Sequence, residues 1–141
     1  MKKILVPVDF SDVTPLLVET AKALASATGA HVILLNVMPF TDVPMLAPKQ
    51  AVMMRDMKED YLLLNEFKQK LAAAGVSATI DQPQGLAVDT ILEESEKQSA
   101  DMIVMGSHGH GALYHLLVGS VTSGVLKSAK CPVVVVPSPR K

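Results

Sequence analysis

The chain has 141 residues, enough for one domain with a core of its own. Apolar residues make up 49% and charged residues 19%, a globular balance that excludes a disordered chain. Basic and acidic residues nearly cancel, at 13 against 14, so the charge gives no basis for a nucleic-acid groove or an anionic-membrane face, and neither partner is expected.

In chain order, residues 4–8 (ILVPV) are apolar throughout, the pattern of a strand buried on both faces. Lys2 and Lys3 give way to Asp9 too soon for a signal-peptide core. Thr14-Pro15 reads as an N-cap followed by proline in the first turn; Leu17, Ala21, Leu24 and Thr28 then share a helical face, closed by Gly29. Residues 31–37 (HVILLNV) read as the second strand. Pro39, Pro44 and Pro48 punctuate a loop placed to cover a ligand at that strand's end. A long helix is predicted over 49–74, with Met57, Tyr61, Leu64, Phe67 and Leu71 on its inner stripe and Gly75 after it.

Val76, Ala78 and Ile80 alternate inward in a strand nearer a sheet edge. Gly85 precedes a helix with Val88, Ile91, Leu92 and Ser95 on one face. Residues 101–106 (DMIVMG) form a fourth strand, 120–129 a short helix, and 131–137 (CPVVVVP) a fifth strand. No apolar run approaches the roughly 20 residues that span a bilayer. The single cysteine, Cys131, allows no internal disulfide and fits a reducing cytoplasm. Strands alternating with helices give one α/β domain over 1–141, an open five-stranded parallel sheet with helices on both faces.

Five of the eight glycines fall between residues 104 and 124: Gly106, Gly109, Gly111, Gly119 and Gly124. The P-loop spacing is present at Gly106 to Gly111, but the lysine and hydroxyl residue required next are replaced by Ala112-Leu113. The dinucleotide pattern starting at Gly109 meets Tyr114 where it needs glycine, and no serine has the glycine flanks of a hydrolase elbow. What remains is Gly106-x-x-Gly109, nine residues, then Gly119-Ser120. Glycines after a strand can turn successive N–H groups inward as an anion nest. The helix opening at Gly119-Ser120-Val121-Thr122 offers free N–H groups and the hydroxyls of Ser120 and Thr122. Ligands of open parallel sheets bind beyond the carboxyl ends of the strands, where the strand order reverses. VPVDFS and the glycine cluster meet there if strands one and four are neighbours.

Through PVDFS near the start, VMGSHGHG, and LLVGSVTSGVLKSAKCPVVVV, the chain resembles the universal stress protein family along essentially its whole length. Gly-x-x-Gly-x9-Gly-Ser is that family's nucleotide-binding signature. The resemblance implies an adenine nucleotide α-hydrolase-like fold of strand order 3-2-1-4-5 and binding of ATP or another adenine nucleotide. By position it implies that Pro7, Val8 and Asp9 line the nucleoside side and that Val37 packs on adenine. Met105, Gly106 and Gly109 would lie along the ribose and phosphates, and Gly119, Ser120, Val121 and Thr122 on the phosphate tail. It also implies a homodimer paired through the edge strand Val133–Val136. An unknown protein partner that reads nucleotide occupancy in a stress response is expected beside it.

Asp9 has three readings: a Mg2+ ligand bridging to phosphates, an acceptor for ribose hydroxyls, or a cap of the following turn with Ser11. Nucleotide or Mg2+ contact is the expectation. His108, His110 and His115 match no zinc pattern. His110 or His115 stands where family members often carry a cation, so affinity for nucleotide is expected to rise as pH falls. Residues 106–126 contain no Lys or Arg to stabilise a transferring phosphoryl group. The expectation is therefore a cytoplasmic ATP-binding regulatory module with slow or absent turnover and no catalytic residue. A slow Mg-dependent ATP hydrolase and an interaction dimer without nucleotide are the alternatives.

Overall fold

The computed structural model describes residues 1–39, 47–109 and 118–138. Its elements run β1 (Lys3–Pro7), α1 (Thr14–Thr28), β2 (His31–Leu35), β3 (Met38–Pro39), α2 (Ala47–Ala73), β4 (Ala78–Asp81), β5 (Gln84–Gly85), α3 (Ala87–Lys97), β6 (Met102–Gly106), α4 (Ser120–Ser128) and β7 (Val133–Val136). Five strands form a parallel sheet in the order β4-β2-β1-β6-β7. Numbered among themselves, they have the order 3-2-1-4-5.

The pleat divides the core in two. Ile4, Val6, Val32, Leu34 and Val104 point to the side where Leu17, Val18 and Ala21 of α1 and Leu64 and Leu71 of α2 cover them. Leu5, Ile33, Ile103 and Met105 point to the other, with Ile91 of α3 and Val125 of α4. Successive residues of a strand face opposite ways, so Ile4, Leu5 and Val6 are all fully buried. Full burial of such a side chain is worth about 1.5–3 kcal/mol.

One proline shapes the middle of the sheet. β1 pairs with β2 along five residues, from Lys3↔His31 to Pro7↔Leu35, but with β6 only at Ile4↔Met102 and Leu5↔Ile103. The Val8 N–H donates to the Leu35 carbonyl at 2.7 Å, so alternation along the ladder turns residue 7 toward β6. Pro7 has no N–H to give there. The β1–β6 ladder stops there, while β6 stays paired with β7 as far as Gly106↔Val136.

Several elements differ from the sequence expectation. Thr14 is the first helical residue and not the cap; the N-cap is Val13, without a side-chain hydrogen bond. The buried Thr14 hydroxyl has no partner among the described residues. The second strand ends at Leu35, so Val37 lies past its end. The long helix begins at Ala47, with Pro48 in the first turn, where a missing N–H costs nothing. Tyr61, placed by periodicity on the inner stripe, is 47% exposed, whereas Leu64 and Leu71 are buried. The pair β3–β5 forms a second small parallel sheet that no periodicity announces. Of the loop from Pro39 to Pro48 read as a cover for the ligand, Pro39 ends β3 and Pro48 lies in α2, and residues 40–46 lie outside the described residues.

Candidate functional site

The strand order reverses between β1 and β6, and a cleft of about 170 Å³ opens where their ladder stops. Pro7, Val8 and Asp9 line it from the end of β1, Val37 from beyond β2, Met105 and Gly106 from β6, Gly109 from the following loop, and Val121 and Thr122 from the first turn of α4. Nine of the eleven sequence-predicted residues thus meet at one place. Gly119 and Ser120 are not among the described lining residues. Val13, Leu17, Leu35, Asn36, Ala87, Ile91 and His108 line the cleft without having been predicted. Asn36 carried a signal, as the one polar residue ending an otherwise apolar run; the apolar residues carried none apart from core periodicity.

Asp9 folds back on its own turn. Its Oδ1 accepts from the Ser11 N–H at 3.0 Å and from the Ser11 hydroxyl at 2.6 Å, the capping reading of this carboxylate. The turn needs Phe10 at φ 61°, a left-handed conformation that is strained for a bulky side chain. Such outliers persist where the surroundings over-determine them. Here the Phe10 ring packs against the core on the α1–α2 side.

Two glycines lie at places of close approach. A Cβ on Gly109 would run into Asp9 Oδ2, and one on Gly106 would come within 2.6 Å of Val13 Cγ1. Gly119 differs. A Cβ there would meet only ordinary contacts, the nearest at 3.5 Å, and its N–H already donates to the Ser107 carbonyl at 2.7 Å. The Thr122 hydroxyl donates to the Gly106 carbonyl at 2.7 Å, tying the start of α4 to the end of β6. The N–H groups of Ser120, Val121 and Thr122 open the nine-residue α4, at positions with no intrahelical partner.

Asn36 ties three strand ends together. Its buried side-chain amide donates to the Val8 carbonyl at 2.9 Å, its N–H donates to the Asp81 carbonyl at 2.9 Å, and its Oδ1 accepts from Gln82 Nε2 at 3.4 Å. His108 is buried, with Nδ1 at 3.1 Å from the Ser107 hydroxyl. His110 and His115 lie outside the described residues, and with them the pH-dependence expected of them. The described residues hold no group of three or more His, Cys, Asp or Glu able to bind a metal. Asp9 suits a cation as one ligand to a Mg2+ carried by phosphates, since Mg2+ commonly takes one or two carboxylates.

A family model for the universal stress protein family matches residues 1–137. The chain belongs to the universal stress protein family. Universal stress protein MJ0531 of Methanocaldococcus jannaschii is 34% identical over 143 residues, covering 99% of this chain and 84% of that protein. The structure of MJ0577 from the same organism aligns with a TM-score of 0.86 at 29% identity, covering 99% of this chain and 98% of the other. A universal stress protein in complex with cAMP aligns with a TM-score of 0.73 at 25% identity, covering 98% of each chain. The chain shares the α/β fold of those structures along its length. No helix among the described residues is long and apolar enough to cross a membrane.

Proposed function

We propose that this universal stress protein binds an adenine nucleotide in the cleft between the ends of β1 and β6. The observation that carries the reading is the mostly apolar cleft beyond the ends of β1 and β6, at the point where strand order reverses. The cAMP complex of the relative described above supports an adenine nucleoside as the group held. The nucleoside lies against Val8, Val37 and Met105, with Asp9 at its ribose side and the first turn of α4 toward phosphate. ATP with Mg2+ belongs to the class of ligands taken.

The protein acts as a nucleotide-responsive module in the cytoplasm during a stress response, read by a protein partner, and is not a vigorous enzyme. Calorimetric titration of nucleotide-stripped protein with AMP tests the binding step. Saturable binding is expected, weakened more than about tenfold in Gly109→Val, where the added side chain displaces Asp9, with circular dichroism unchanged. Absent binding, or equal affinity in the variant, contradicts the reading.

The same proposal includes a homodimer through β7. Ile103 N–H donates to the Pro132 carbonyl at 3.0 Å and Ser107 N–H to the Val136 carbonyl at 2.9 Å. Alternation then turns the backbone groups of Val133 and Val135 away from β6, to an open edge. Val135→Pro removes an outward N–H and leaves the β6 ladder intact. Light scattering is expected to show a dimer that becomes a monomer in the variant. A monomeric parent protein, or a dimer that survives Val135→Pro, rules this interface out.

A further inference from the structure

We propose that Ser77 is a nucleophile that accepts acyl groups from activated esters, with His31 as its base and Thr79 as the residue that holds the imidazole. The site lies at the amino ends of the strands, at the other end of the sheet from the nucleotide cleft, and does not depend on the nucleotide-binding reading.

The parallel register brings the three side chains together. Lys3 of β1 pairs with His31 of β2, and Val32 pairs with Ala78 of β4, so His31 falls level with Ser77. Ser77 and Thr79 are two residues apart along β4 and therefore share a face. His31 Nδ1 lies 2.8 Å from the Ser77 hydroxyl and Nε2 lies 3.0 Å from the Thr79 hydroxyl. Both hydroxyls belong to exposed residues, while the ring between them is half-buried.

A neutral imidazole has one donor nitrogen and one acceptor nitrogen. Hydrogen bonds from O–H run shorter than those from N–H, with modes of about 2.7–2.8 Å against about 2.9–3.0 Å. The two lengths therefore assign the roles: Ser77 donates to Nδ1, and Nε2–H donates to Thr79. That is a nucleophile on its base, with the base oriented by a third group. Burial first, then Lys3 of β1 and Lys68 of α2, lower the pKa of His31 and keep the ring in its proton-accepting form at neutral pH. Lys3 Nζ is itself anchored, donating to the Gln98 carbonyl at 3.1 Å. The Asp101 carboxylate at this end of the sheet accepts from the N–H groups of Lys2 and Lys3.

In the reaction the Ser77 oxygen attacks the ester carbonyl carbon while its proton moves to Nδ1. The bond from Oγ to that carbon forms, the bond from carbon to the leaving oxygen breaks, and Nδ1 returns the proton to the departing oxygen. The ring ends neutral and Ser77 carries the acyl group. The ammonium groups of Lys3 and Lys68, whose field reaches the ring, favour the negative charge that develops on the carbonyl oxygen.

The test is incubation of the full chain with p-nitrophenyl acetate, with acetylation of each serine followed by tandem mass spectrometry. Ser26, exposed on α1 and not bonded to the ring, is the internal standard. Ser77 is expected to be acetylated at least about tenfold faster than Ser26. Its rate is expected to rise with pH to a plateau, with a midpoint below the ordinary imidazole value of about 6.5. His31→Gln is expected to bring Ser77 down to the rate of Ser26, with circular dichroism unchanged. Thr79→Val is expected to slow it and Thr79→Ser to restore it, a rescue that follows from the hydroxyl and not from packing. Equal rates at Ser77 and Ser26, a fast Ser77 that survives His31→Gln, or acetylation of Thr79 in place of Ser77 overturns the proposal.

Discussion

Asp81 ends β4, and its backbone carbonyl receives the Asn36 N–H; its side chain turns to α3. There Gln98 Nε2 donates to Asp81 Oδ2 at 3.0 Å and to Glu94 Oε2 at 2.8 Å, holding the two carboxylates together. Burial, and then the neighbouring Glu94, push the Asp81 carboxyl above its ordinary value, against the opposing pull of Gln98 and Lys97. A carboxyl raised in the folded state holds its proton better folded than unfolded. Its contribution is therefore present below the ordinary carboxylate value of about 3.9 and is lost as pH rises through the raised one. Asp81→Asn, which keeps an acceptor for Gln98, is expected to raise the melting temperature at pH 7, with the difference vanishing in acid. A lower melting temperature at pH 7, or a gain as large at pH 3, contradicts this. The sequence did not show the pair: the two residues are thirteen apart, and only the α3 crossover brings them together.

At the scale of elements, α2 shows what periodicity can and cannot tell. Its 27 residues make a rod of about 40 Å, while β4 beside it has four residues and reaches about 13 Å. The apolar stripe was legible in the sequence, but which of its members the sheet covers was not: Leu64 and Leu71 are buried while Tyr61 is about half in solvent. Leu71→Ala is expected to cost about 2–5 kcal/mol of stability in denaturant unfolding, and Tyr61→Ala no more than about 0.5 kcal/mol. Comparable costs for the two would mean that Tyr61 is covered in solution. The strand β6 and helices α1, α3 and α4 were read closely because their apolar patterns end at glycine, proline or charged residues. The two-residue strands β3 and β5 are too short to carry a pattern.

For the whole molecule, element order and alternation were enough to give a parallel sheet covered on both faces, and the resemblance supplied the strand order. The cleft was legible as a place, because PVDFS and the glycine cluster end strands that become neighbours. Its internal bonding was not legible. Gly119 and Thr122 looked like phosphate donors, yet their N–H and hydroxyl satisfy carbonyls of Ser107 and Gly106; a sequence does not show which acceptor a donor meets. Nor did it show that the β1–β6 ladder would end short of Pro7, which has no hydrogen bond to give it.

The central claim is that an adenine nucleotide occupies this cleft, and amide NMR of the full chain titrated with AMP tests it most directly. The account predicts shifts at Val8, Asp9, Val37, Gly106, Gly109, Val121 and Thr122, with Lys2, Lys3 and Asp101 at the opposite end of the sheet unmoved. Shifts centred on that opposite end, or none at saturating AMP, would contradict it.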